Sequence, residues 1–112
     1  MEVLVLKPED RYEWERIIRR LSIPSQQKFL ALMLATYADP DGSRVHPGVD
    51  RLARVMGVTD RTVKRSLAEL RSLGLVELVK QGNRWAHKAD EYRLTTPVDL
   101  MSLSMLGPDE LP

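Results

Sequence analysis

Along the chain the hydrophobic positions change period several times, and each change marks a predicted element. Trp14, Ile17, Ile18 and Leu21 recur at helical spacing, with Arg11, Glu15, Arg19 and Arg20 opposite, which predicts an amphipathic helix over 8–21. Pro8 suits its first turn, and Glu9 and Asp10 suit its positive end. The apolar stretch 1–7 ahead of it reads as a strand or as an arm across the domain. Ser22-Ile23-Pro24-Ser25 interrupts the pattern, and Ser25 is placed to cap a second helix over 26–38. From Phe29 to Ala38 (FLALMLATYA) that helix is apolar nearly all round, the mark of a central buried strut. Asp39-Pro40-Asp41-Gly42 halts it with four turn-formers, and 43–45 is available to pair with a later hairpin.

Residues 49–75 (VDRLARVMGVTDRTVKRSLAELRSLGL) read as two helices joined by a tight turn. Leu52, Ala53 and Val55-Met56 line one face of the first, and Gly57 ends it where the chain must turn left-handed. Val58 plugs the corner, and Thr59 stands where an N-cap belongs. In the second helix, over 60–73, Val63, Leu67 and Leu70 form an apolar stripe; Arg61, Arg65, Ala68 and Ser72 fall on the opposite face, flanked by Thr62 and Lys64. Such a division suits a helix that reads a DNA groove. Arg matches guanine O6/N7 and phosphate oxygens, Thr matches a phosphate or a thymine methyl, and Ala68 permits close approach. An ordinary amphipathic helix with a solvated charged face has the same pattern.

Beyond Gly74, residues 75–80 (LVELVK) alternate as a strand, Gln81-Gly82-Asn83 turns the chain, and 91–95 (EYRLT) is a second strand with Tyr92 and Leu94 on one face. The hairpin tip carries Arg84, Trp85, His87 and Lys88. Thr96-Pro97-Val98-Asp99 resembles a capped helix start, which predicts a short helix over 97–106. Its apolar residues demand a cover: its own domain, a second copy of the chain, or another protein.

Composition narrows the function classes. A 112-residue chain allows one small domain with a tail. Without cysteine there is neither a disulfide framework nor a thiolate metal site, and two separated histidines build no cluster, so no metal or cofactor is expected. Paired carboxylates, a nucleophile with its base and a phosphate-cradling glycine loop are all missing, which argues against an enzyme. With no apolar run of bilayer length, the protein is expected in the cytoplasm. The net charge of +1 conceals a division: residues 43–88 hold ten Lys/Arg against four Asp/Glu, whereas residues 89–112 hold one against five. A basic block over the two-helix unit and hairpin is the footprint of a polyanionic partner.

The pattern LA-x3-GVT-x2-TV-x-R-x-L-x2-L-x3-GL, carried by Leu52, Ala53, Gly57, Val58, Thr59, Thr62, Val63, Arg65, Leu67, Leu70, Gly74 and Leu75, resembles the winged helix-turn-helix family. Within it, the sequence is similar to the group found in bacterial, phage and plasmid regulatory and replication-associated proteins. The resemblance spans 25–95. It implies a mainly α fold with a small antiparallel β-hairpin: a winged helix-turn-helix domain over 1–95, with an extra N-terminal helix, then a short C-terminal helix and acidic tail over 96–112. It further implies that helix 60–73 enters the major groove of duplex DNA while the hairpin 75–95 touches adjoining backbone. Thr59, Arg61, Thr62, Lys64 and Arg65 are the implied contacts, with Arg84 and Lys88 in the wing. Arg44, Arg51 and Arg54 are candidates for phosphates at the edge, and His46 and His87 for phosphate-proximal hydrogen bonds. Trp85 has two readings: stacking at DNA, or folding back over Leu78. Asp60 departs from the pattern, since an acid beside DNA is repelled. A repressor-type transcription regulator is the first expectation, a replication- or recombination-associated accessory the second, and a protein-binding winged helix the third. Dimerisation through helix 8–21 or helix 97–106 would set two reading helices about one turn of DNA apart.

Overall fold

The computed structural model describes residues 5–83, 85–103 and 105–106. Its elements are β1 (Leu6–Pro8), α1 (Arg11–Arg20), α2 (Ser25–Ala35), α3 (Val49–Met56), α4 (Asp60–Ser72), β2 (Val76–Lys80) and β3 (Glu91–Pro97), then a 3₁₀ turn at Leu100–Ser102. The fold is mainly α with a small antiparallel sheet of order β1-β3-β2. α2 is the strut: α1, α3 and α4 all pack against it, and α4 leads directly into the β2–β3 hairpin. The core joins Trp14 and Ile18 of α1, Leu30 and Leu34 of α2, Leu52 of α3, Val63, Leu67 and Leu70 of α4, and Leu94 of β3.

Helix α1 begins later than the sequence predicts. Asp10 is its N-cap, its carboxylate accepting from the Glu13 amide at 2.9 Å, and Pro8 lies in β1 instead of the first helical turn. The reason is non-local. Leu6, Lys7 and Pro8 pair antiparallel with Pro97, Thr96 and Thr95, and an edge strand tolerates a proline, which has no N–H to donate. The same pairing overturns the helix predicted over 97–106. β3 runs on through Thr96 to Pro97, the backbone N–H of Val98 donates to the Val5 carbonyl at 2.8 Å, and among the described residues beyond it a 3₁₀ turn at Leu100–Ser102 stands where the helix is expected. Leu100, Leu103 and Met105 pack against their own domain, where Met105 bridges Leu21 and the Leu106 N–H reaches the Arg20 carbonyl at 2.7 Å.

Two more expectations are modified. α2 starts at Ser25, with Pro24 at the cap position, and one flank stays open: Phe29 is 42% exposed while Leu30, Ala31, Leu34 and Ala35 are buried. In α3, Leu52, Ala53 and Met56 face the core as predicted, but Val55 is 49% exposed. The pairing of 43–45 with the hairpin is present as a bridge between Val45 and Tyr92, whose amides exchange hydrogen bonds of 3.0 and 2.7 Å.

A single side chain ties α1 to the base of the hairpin. The Trp14 indole N–H, fully buried, donates to the carbonyls of Leu75 at 3.0 Å and Thr95 at 2.9 Å. The Thr95 N–H returns a bond to the Leu75 carbonyl at 3.0 Å, and its hydroxyl donates to the Gly74 carbonyl at 2.9 Å. The junction between α4 and the sheet is thus fixed from one indole. Trp14→Phe, which keeps most of the volume and removes the donor, should destabilise the protein by about 1–3 kcal/mol in urea unfolding. Two glycines provide a graded comparison. Gly57 is left-handed (φ 72°) with open space around the missing Cβ, so Gly57→Ala should cost about 1 kcal/mol. Gly42 is also left-handed (φ 84°), and there a Cβ would overlap the Glu9 carbonyl, so Gly42→Ala should cost at least about 2 kcal/mol in the same assay.

Candidate nucleic-acid interface

The turn between α3 and α4 follows from three consecutive residues, Gly57, Val58 and Thr59. Gly57 takes the left-handed conformation, which lets its N–H reach the Arg54 carbonyl at 3.3 Å and the Val58 N–H reach the Ala53 carbonyl at 3.0 Å. These two bonds satisfy the last carbonyls of α3 in a Schellman arrangement. Val58 then packs against the core, and Thr59 caps α4 by accepting from the Thr62 amide at 3.2 Å. The Thr59 and Thr62 hydroxyls lie 3.0 Å apart. Both threonines predicted as contacts therefore stand at the positive end of α4, where hydroxyls and first-turn amides favour an anion.

Beyond the cap, α4 divides as its sequence pattern demands. Val63, Ser66, Leu67 and Leu70 are buried; Arg61, Lys64, Arg65 and Ala68 are exposed. Among the described residues, several cations elsewhere in the chain are engaged, although Arg19 and Arg20 of α1 are not. Lys7, Arg11 and Arg16 are engaged with Glu9, Glu15 and Glu13, and Arg93 donates to the Asp41 carbonyl. Among the described residues, the side chains of Arg51, Arg54, Arg61, Arg65, Lys80 and Lys88 form no hydrogen bond or ion pair. Arg44 is the exception within the basic block. Left-handed at φ 58°, it holds Asp39 at 3.1 Å, so a phosphate would have to share it with that carboxylate.

A groove between α3 and the hairpin collects the remaining cations. It has a volume of about 660 Å³ over a floor of Leu34, Leu52, Leu67 and Tyr92, with Arg51, Arg54, His87 and Lys88 at its rim. An adjoining hollow adds His46 and Lys80. Lys88, implied by the resemblance, and Arg51, a candidate for phosphates at the edge, are thereby brought to one surface; Lys80 joins them without a motif to mark it, its outward place at the end of β2 being legible in the strand alternation. Acids also line these surfaces, Asp50 and Asp90 in the groove and Glu91 in the hollow, with Asp90 accepting from the Gly82 amide at 2.6 Å. Burial pushes the Tyr92 phenol up, with the Asp90 carboxylate adding to the effect, so this tyrosine stays neutral.

Asp60 answers the question that its sequence position raises. The neighbouring Asp50 carboxyl, first through hydrogen bonding and then, after desolvation, through repulsion, pushes the Asp60 carboxyl above the ordinary carboxylate value; Lys64 opposes the shift. Neither acid forms an ion pair with Arg61 or Arg65.

The hairpin tip is closed by backbone bonds between Asn83 and Lys88, each 2.9 Å, and its indole does not fold back: Trp85 is 91% exposed. Arg84 lies outside the described residues. No group of three or more metal-ligating side chains occurs among the described residues, nor any helix long and apolar enough to cross a membrane.

Comparison with known proteins agrees with this geometry. Neither the curated proteins nor the solved structures give a match. A family model described as a helix-turn-helix domain matches residues 15–76, from the residue after Trp14 to the first residue of β2. That range holds α3, the Gly57 turn and α4 whole, and leaves β1 and most of the hairpin outside. Helix-turn-helix domains are DNA-binding modules in which the second helix of the pair lies in the major groove. With more than half of its length matched and both helices and their turn in place, the chain belongs to the helix-turn-helix domain family.

Proposed function

We propose that the protein is a sequence-specific binder of duplex DNA that acts as a repressor-type transcription regulator. In this reading α4 lies in the major groove. Arg61 and Arg65 face base edges or phosphates, Lys64 and the Thr59–Thr62 cap meet the near backbone, and Arg51, Lys80 and Lys88 follow the flanking phosphates with the hairpin as a wing. The supporting observation is the set of unpaired cations. In a basic block that also contains acids, the side chains on the open face of α4 and around the groove lack internal partners, so their charges are available to a polyanion. Occupancy of an operator overlapping a promoter would then suffice to block transcription, and footprinting beside a start site tests that step.

Selection from a random duplex pool should yield a defined site. On it, Arg65→Ala is expected to lose about tenfold or more in affinity, the low end for a bidentate base contact, with little loss on unrelated duplex. Equal weakening on every sequence would make Arg65 a backbone anchor, and no binding in dilute buffer would overturn the proposal. Removing Lys88 should instead reduce the slope of log affinity against log salt by about 0.9.

The carboxyl pair gives a pH-dependent expectation. Because Asp60 is raised in the folded protein, it takes up a proton there sooner than in the unfolded chain. The folded state therefore gains relative stability as pH falls through the raised value, until the unfolded carboxylate is protonated too. Affinity for duplex should rise over the same interval as negative charge leaves the turn. Asp50→Asn should lower the Asp60 value, read by NMR titration, and tighten DNA binding near neutral pH.

A further inference from the structure

The two tryptophans of this chain stand at opposite extremes. Trp14 is wholly enclosed, whereas Trp85 is 91% exposed at the hairpin tip. An indole left in water is expected either to fold back on a neighbouring apolar side chain or to meet a partner. Leu78, half-buried on β2 of the same hairpin, would serve the first purpose, yet the loop does not bend toward it.

The loop's wiring accounts for that exposure. The Asn83 carboxamide oxygen accepts from the amides of Trp85 at 2.9 Å and Ala86 at 3.3 Å. The Asn83 carbonyl accepts from the amides of Ala86 at 3.2 Å and Lys88 at 2.9 Å, and the Asn83 amide donates back to the Lys88 carbonyl. His87 closes the turn in the left-handed conformation at φ 55°. With the backbone amides at 85, 86 and 88 all bonded to Asn83, Trp85 is held outward by its own turn. Farther down the hairpin, the register of β2 against β3 shifts between Leu78 and Lys80, an irregularity of the kind that re-aims a strand end.

What surrounds Trp85 narrows its partner. Among the described residues, Ala86, His87 and Lys88 beside it in the chain are not the large apolar side chains that surround a tryptophan anchoring a protein interface. Lys80 and Lys88 are unpaired cations on the same hairpin. An exposed aromatic beside unpaired cations is the composition of the platforms on which single-stranded bases stack, and apolar side chains wedged between the base steps of a duplex make the same contact against a cost of unstacking.

We propose that Trp85 is a base-stacking wedge: as the hairpin tracks the backbone beside the α4 footprint, the indole inserts at a base step there and partly unstacks it. The proposal rests on the DNA-binding reading above. Because every base presents a π-face, this contact adds affinity with little hydrogen-bond readout, and it favours the easily opened pyrimidine–purine steps.

The test uses the full chain and the duplex chosen by selection, with 2-aminopurine placed at successive flanking positions. Trp85→Ala should lose about tenfold in affinity, and Trp85→Phe much less, both with an unchanged salt slope because no charge is removed. Tryptophan emission should be quenched on duplex addition in the wild type and not in Trp85→Phe, since Trp14 is shielded. One flanking 2-aminopurine should brighten with the wild type and not with Trp85→Ala. Unfolding midpoints should agree among the three proteins, as this side chain packs on almost nothing. If Trp85→Ala binds as tightly as the wild type, or if no flanking base brightens while Arg65→Ala still loses the selected site, the wedge is refuted and the DNA-binding reading stands. If no variant binds duplex at all, both fall together.

Discussion

The structure depends on one donor with two acceptors. The Trp14 indole N–H, fully buried, meets the Leu75 and Thr95 carbonyls at the point where α4 gives way to the sheet. The Leu75 carbonyl also accepts from the Thr95 N–H, and a buried donor or carbonyl left without a partner at that depth would be expensive. Joining the two carbonyls ties the C-terminal end of α4 to the base of the hairpin, hence the exposed face of α4 to the flanking strands. The family match takes in most of α1, and Trp14 lies one residue ahead of its start.

Electrostatic arrangement follows from the same frame. α1 neutralises much of its own charge by pairs along the helix, Arg11 with Glu15 and Arg16 with Glu13. Such pairs contribute little stability at a surface, but they leave less charge free for a partner. On α4, carboxylates are kept from the arginines. Asp60 engages Asp50, and Glu69 accepts from the Gln27 amide of α2. The acids near the reading face are thus occupied with groups other than its guanidinium ions.

Local chemistry was legible in the sequence, and pairing at a distance was not. Gly57 and Thr59 could be read because a left-handed stop and a hydroxyl cap act within a few residues. The stripe of Val63, Leu67 and Leu70 could be read because periodicity alone determines it. Pro8 and Thr96-Pro97 each resemble a helix start locally, yet the two segments pair with one another, and no local rule can see a partner some ninety residues away. Phe29 reads as inward from an all-apolar helix and Val55 from its place beside Met56, but the helices packed around them leave those flanks uncovered. The site shows the same division. The α4 residues were legible from pattern and resemblance, whereas the capture of Arg44 by Asp39 and the grouping of Lys80 with Arg51 and Lys88 depend on loop conformation.

A three-stranded sheet with β3 in the middle has two open margins, and β2 forms one of them. A regular margin invites a strand from another molecule, and a chain rich in exposed valine would be prone to stick to itself there. Here the register slip around Val79, together with the outward charges of Glu77 and Lys80, makes that margin a poor template. The same irregular, charged margin would thus keep copies of the protein from zipping together edge to edge at high concentration.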